Sequence, residues 1–162
     1  MFGIEHSRFW RVVAVGVVVS ALIMPFALVG AEEPTLEEMK ERIANASIAD
    51  RPPLCLQVSE RQIGAAGRFY DLGDSEQAKK ALTDVVAFSE MARDYAIQSH
   101  KHDKQSEIAI RKMIRKLTDL KHKIPHEDQD QVQNTMDRLQ RIRDDLLVAM
   151  FPKAGNPKAG KK

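Results

Sequence analysis

His100 and His102, with Asp103 beside them, are residues whose types suit metal chemistry in this 162-residue chain. His122 and His126 form a second pair, four residues apart, a spacing that puts two imidazoles on one helix face. Pro125 stands between that pair and breaks the helix the geometry needs. Further ligands would have to come from elsewhere, and Lys101, Lys104, Lys121 and Lys123 would repel a cation. The plainer reading is solvated histidines among lysines, so neither a metal nor a cofactor is expected.

Cys55 is the sole cysteine, which rules out an internal disulfide and any multi-cysteine zinc site. It falls on an apolar helix face beside Leu54 and Val58, as a buried small hydrophobe would. The alternative is an intermolecular disulfide in an oxidising compartment. A catalytic thiol needs a partnered histidine, and none is near in sequence. The chain has no nucleophile elbow, phosphate loop, HExxH or supported carboxylate pair, and Asp144-Asp145 reads as part of a solvated face. An enzyme is therefore not expected.

Charge is unevenly laid out. Residues 101–125 hold eight basic and three acidic side chains, whereas residues 126–151 hold three and six. On a helical projection Arg111, Lys112, Arg115, Lys116 and Lys123 oppose the apolar stripe and should face water. They are the candidate anion-binding residues, for lipid headgroups, anionic envelope polymers or an acidic protein, with a salt-dependent attraction. The competing reading is that they pair with acidic neighbouring helices. Nucleic acid is not expected, because no aromatics interleave with these cations. Arg115 and His122 have a spacing similar to the Arg–His pair of some helical ribonuclease domains, but export removes the usual substrate.

Export is read from the N-terminus. Arg8 and Arg11 precede an uncharged run from Val12 to Val29, and Val29-Gly30-Ala31 then supplies small residues for cleavage after Ala31. Residues 1–31 are thus a signal peptide, in bacterial style, directing the chain to the periplasm or beyond. The alternative is an anchor retained in the inner membrane through residues 12–29, which sit at the lower length limit for a span.

The mature part reads as all-α. Thr35 and Glu38 have capping-box spacing, so a short helix should run to about Ala44, followed by a Pro-rich linker ending at residue 52. A second helix is predicted from about Pro53 to Leu72, with Leu54, Cys55, Val58, Ala65, Ala66, Phe69 and Leu72 on one face. Gly73 should end it, and Asp74 or Ser75 should cap a third helix over 76–97. The seam of that helix is Ala78, Leu82, Val85, Ser89, Ala92 and Ala96. Residues 100–105 are polar and lack Gly and Pro, so either a loop or a continuous helix is open there. A fourth helix over 106–123 and a fifth ending near Phe151 flank Pro125. The tail from 152 to 162 carries four lysines and a duplicated Pro-Lys-Ala-Gly, a composition that reads as disordered. The expected architecture is an antiparallel bundle of four main helices spanning 53–151, with a short N-terminal helix on or near it.

Phe69, Gly73, Asp74, Ala78 and Leu82 carry a partial resemblance to the tetratricopeptide repeat over about residues 62–90. That family places an aromatic four residues before a Gly-Asp turn and a small residue where the two helices cross. Gln62, Ala65 and Ala66 stand where the repeat has its Trp and Leu-Gly, and no second copy follows. The resemblance implies a helical hairpin and a groove for a peptide or protein. The whole chain is also similar in plan to small exported helical proteins of bacteria, which assigns no residue a role.

The expected function is a non-enzymatic protein or peptide interaction module of the bacterial envelope. Its partner would pack in a groove between the second and third helices, against Phe69, Tyr70, Phe88 and Tyr95. The alternative is electrostatic binding of anionic polymers or membrane surface through helix 106–123 and the C-terminal lysines.

Overall fold

The computed structural model describes residues 34–152, and this region is all-helical, with no strand among the described residues. The helices are α1 (Leu36–Asn45), α2 (Arg51–Asp71), α3 (Ser75–Ser99), α4 (Asp103–Lys121) and α5 (His126–Met150). A single 3-10 turn, Ile48–Asp50, leads into α2. The signal-peptide reading of 1–31 and the lysine tail beyond Pro152 lie outside the described residues. Among the described residues no helix is long and apolar enough to cross a membrane.

Local chemistry sets most helix ends. The Glu38 amide donates to Thr35 Oγ1 at 3.2 Å while the Thr35 amide donates to Glu38 Oε2 at 2.7 Å, which is the capping box. Helix α2 begins two residues before the expected Pro53, with proline inside its first turn where no N–H is needed. At its far end Gly73 adopts φ 75°, its amide meets the Tyr70 carbonyl at 3.0 Å, and the Asp74 amide meets the Phe69 carbonyl at 2.9 Å. These two bonds make a Schellman closure. Asp74 then caps α3, its carboxylate accepting from the Gln77 amide at 3.1 Å.

The open question at 100–105 has a definite answer. Helix α3 stops at Ser99, and α4 starts at Asp103, three residues before the expected Ser106. His100 at φ 53° and His102 at φ 65° turn the chain between them. Both are left-handed, a conformation that non-glycine residues hold only at a cost in strain.

The helices pack as two hairpins. In the first, Arg51 lies by Tyr95, Ser59 by Ser89 and Gln62 by Asp84, so α2 and α3 are antiparallel. In the second, Glu107 lies by Arg143 and Lys121 by Gln133, so α4 and α5 are antiparallel. Between the hairpins the directions agree. Ser75, Glu90 and Arg93 of α3 meet Asp128, Arg138 and Asp145 of α5 in ascending order. Helix α4 runs parallel beside α2 in the same sense. Helix α1 crosses back over α2 through buried Met39 and Ile43, and Arg61 reaches the Pro34 carbonyl.

The core is a single cluster fed by all five helices. The predicted α3 seam is buried in full: Leu82, Val85, Ala92 and Ala96 have no solvent exposure. Leu72 departs from its expected place on the α2 apolar face and is 80% exposed. It occupies the C-cap, the last position before the left-handed Gly73 turns the chain out of the helix. Leu54, Ala65 and Phe69 are half-buried, while Ile63 and Tyr70 supply the deeper contacts.

Candidate functional site

The α2–α3 interface is close-packed. Ser59 lies against Ser89, and Cys55 and Ala66 of α2 and Ala92 and Ala96 of α3 have no solvent exposure. Small side chains let the two helices approach, and the hydroxyls of Ser59 and Ser89 satisfy each other and the Val85 carbonyl. Of the four predicted contact aromatics, Tyr70 and Phe88 are buried, and Phe69 and Tyr95 are half-buried against the core. Tyr95 is engaged within the chain: the Arg51 guanidinium stacks over its ring at 5.1 Å and donates to its hydroxyl at 3.4 Å. None of the four lines the three recesses described below.

Open space lies on another face. Along the seam of the parallel pair α2 and α4 are two recesses. One, of about 270 Å³, is lined by Pro53, Leu56, Gln57, Glu60, His102, Gln105, Ser106 and Ala109. The other, of about 310 Å³, is lined by Ile63, Gly67, Asp71, Lys116, Asp119, Leu120 and Lys123. The Lys116 ammonium and the Glu60 carboxylate pair across the seam between them. A third, more polar recess of about 660 Å³ separates α3 and α5, and it holds the ion pairs Arg93–Asp145 at 2.9 Å and Arg138–Glu90 at 2.7 Å.

All five candidate anion-binding residues are exposed on α4 or just beyond it. Lys116 is neutralised by Glu60, and Arg111 stands 3.7 Å from Glu107 on its own helix. Lys112, Arg115 and Lys123 have no acidic partner among the described residues. Glu107 is buried and is held chiefly by Arg143 Nε of α5 at 2.7 Å. That pair draws one acidic side chain of the basic helix inward.

His100 is exposed in the α3–α4 turn, His102 is half-buried and lines the first recess, and His122 and His126 are exposed on either side of the Pro125 turn. Among the described residues no three His, Cys, Asp or Glu side chains gather for a metal. Cys55 has no exposed surface, so an intermolecular disulfide has no sulfur to reach. Burial pushes its thiol up to about 11, with the Arg51 charge pulling weakly the other way. Burial likewise pushes the Tyr70 phenol up to about 12, and the nearby Asp128 charge adds to it.

Sequence reasoning passed over Ser106, Glu107 and Asp128, three polar residues that are buried. Ser106 lies on the stripe of Ile110, Met113 and Leu117, and a serine so placed was the available signal. No protein-family model, curated protein or solved structure matches the chain.

Proposed function

We propose that the protein is an exported, non-enzymatic interaction module, its four long helices forming one bundle that presents the α2–α4 seam to a partner. The observation that supports this reading is the pair of recesses lying in line along that seam, each with an apolar floor and a charged rim. A partner segment laid along the seam would place apolar side chains beside Leu56 and Ala109, and again beside Ile63 and Leu120. This seam is a different face from the α2–α3 groove that the tetratricopeptide-like residues imply.

Capture from envelope extract on the immobilised chain tests this. Gly67→Trp and Ala109→Trp together fill both recesses; Gly67 faces Leu120, whose Cδ1 is 3.7 Å from an added Cβ. The partner bound by the wild type should be lost with this variant and kept when salt is raised. Retention of the partner by the folded variant overturns the seam as the docking face.

A second reading is electrostatic attachment to anionic polymers or lipid surface. The unpaired Lys112, Arg115 and Lys123 favour it, as do the like-charge i,i+4 pairs Arg111/Arg115 and Lys112/Lys116, which cost the isolated helix stability. Under it, Lys112→Glu with Arg115→Glu abolishes binding to anionic vesicles, and added salt does the same. Export itself has an optical signature. Trp10 is the sole tryptophan, so the form cleaved after Ala31 emits only as tyrosine. Tryptophan emission from the envelope form would mean that the N-terminus is retained.

A further inference from the structure

We propose that the protein exchanges its second hairpin with a second copy of itself. In that dimer the turn between α3 and α4 straightens, and the two helices become one from Ser75 to Lys121. The α4 and α5 of each copy then pack on α2 and α3 of the other. The inference goes beyond the docking reading and does not depend on what the seam binds.

The turn is a poorly satisfied stretch of chain. Both non-glycine residues with positive φ among the described residues, His100 at 53° and His102 at 65°, lie in it. Each holds a conformation in which Cβ crowds the following carbonyl oxygen. Two of the three buried side-chain atoms without a hydrogen-bond partner among the described residues, Asp103 Oδ1 and Ser106 Oγ, fall at the start of α4. The first helical bond of α4 runs from the Ser106 amide to the His102 carbonyl, at 2.7 Å. The amides of Asp103, Lys104 and Gln105 therefore have no intrahelical acceptor. In a straight helix they close on the carbonyls of Ser99, His100 and Lys101.

The sequence also fits that straight helix. No Gly or Pro stands between Ser99 and Ser106. Steps of four and three space the buried seam of α3. They lead without a slip from Ala92 and Ala96 through Ser99 and Asp103 to Ser106 and Ile110 of α4. The α4 stripe thus continues the α3 seam in phase, as one long helix requires. Two helices that only meet at a turn need no such agreement.

The interface that opens fixes the occupant. The second hairpin closes on the first through buried apolar residues and through the pairs Ser75–Asp128, Glu90–Arg138, Arg93–Asp145 and Glu60–Lys116. Straightening takes α4 and α5 away from their own α2 and α3 and bares both apolar faces. The surface that matches each face is the same hairpin of another copy, and a twofold axis restores the contacts. Closed and exchanged forms share these contacts and differ at the turn and in the entropy of association. Each α2–α4 seam survives, built by two copies.

The test uses chain purified from the envelope in light and heavy-isotope forms. The two are mixed in equal amounts, unfolded in guanidinium and refolded together at about 1 mM, the order of the effective concentration that a short tether gives the closed form. A dimer should separate from the monomer on gel filtration. A carbodiimide then joins Lys116 to Glu60, the ion pair across the two hairpins. In the exchanged dimer about half of the joined peptides should be light–heavy, because each link spans two copies. A dimer whose links are all light–light or heavy–heavy is a side-by-side dimer and overturns the proposal, as does the absence of any dimer. His100→Gly with His102→Gly should relieve the closed turn and weaken the dimer about a hundredfold. His100→Ala with His102→Ala should favour the straight helix and tighten the dimer about tenfold. Unchanged dimer affinity in either folded variant overturns the turn as the hinge. If the glycine variant loses its helical dichroism, the alanine variant decides alone.

Discussion

The Arg51 guanidinium lies 5.1 Å above the ring of Tyr95 and at the same time donates to the carbonyls of Ala44 and Ala46, each at 3.1 Å. One side chain at the start of α2 therefore ties the end of α1 to the end of α3. The carbonyls at a helix C-terminus lack intrahelical donors, and a cation there also meets the negative end of the dipole.

Arg51→Ala should accordingly cost about 2 kcal/mol, the sum of a modest cation–π contact and two hydrogen bonds from a charged donor. The loss should be local. Limited proteolysis should cut within residues 34–50 in the variant before it cuts α2–α5, and urea melts should give the overall change.

Tyr70→Phe should stabilise the protein at neutral pH by about 1 kcal/mol, because the buried Tyr70 hydroxyl has no partner among the described residues and the ring is retained. The pH dependence follows from the raised phenol. Its stabilising contribution is complete below the ordinary value near 10 and is lost as pH rises through about 12. Chemical melts between those values should fall more steeply for the wild type than for Tyr70→Phe.

Glu107→Gln should cost about 2 kcal/mol, because it leaves Arg143 without the charge it contacts at 2.7 Å in a half-buried place. Arg143→Met with Glu107→Leu should recover much of that loss, since a matched apolar pair removes both charges. Thermal unfolding of the three variants measures the coupling.

His100→Gly should raise stability by about 1 kcal/mol, since glycine adopts φ 53° without the steric cost a side chain meets there. The gain is reduced by the greater freedom of glycine in the unfolded chain. The exposed imidazole gives up no contact the turn needs, so dichroism should be unchanged while the melting midpoint rises.

How much was legible in the sequence depends on the range of the physics. The capping box at Thr35, the left-handed Gly73, the Asp74 cap and the seam of α3 all follow from residues within a few positions of one another. Those interactions are local, and the primary structure by itself determined them, along with the all-helical character. It also determined that Arg111, Lys112, Arg115, Lys116 and Lys123 lie opposite the apolar stripe of α4. The tertiary structure decided the rest. Nothing between His100 and Gln105 forbids a continuous helix, and the break there places α4 beside α2 and α5 beside α3. Which cations are neutralised depended on Glu60, a distant residue brought to Lys116. The burial of Tyr70, Ser106 and Glu107 likewise required the second hairpin to close over the first. The aromatics of α2 and α3 had the composition of a contact surface. Small buried side chains lie between those two helices, and two of the recesses lie elsewhere, between α2 and α4.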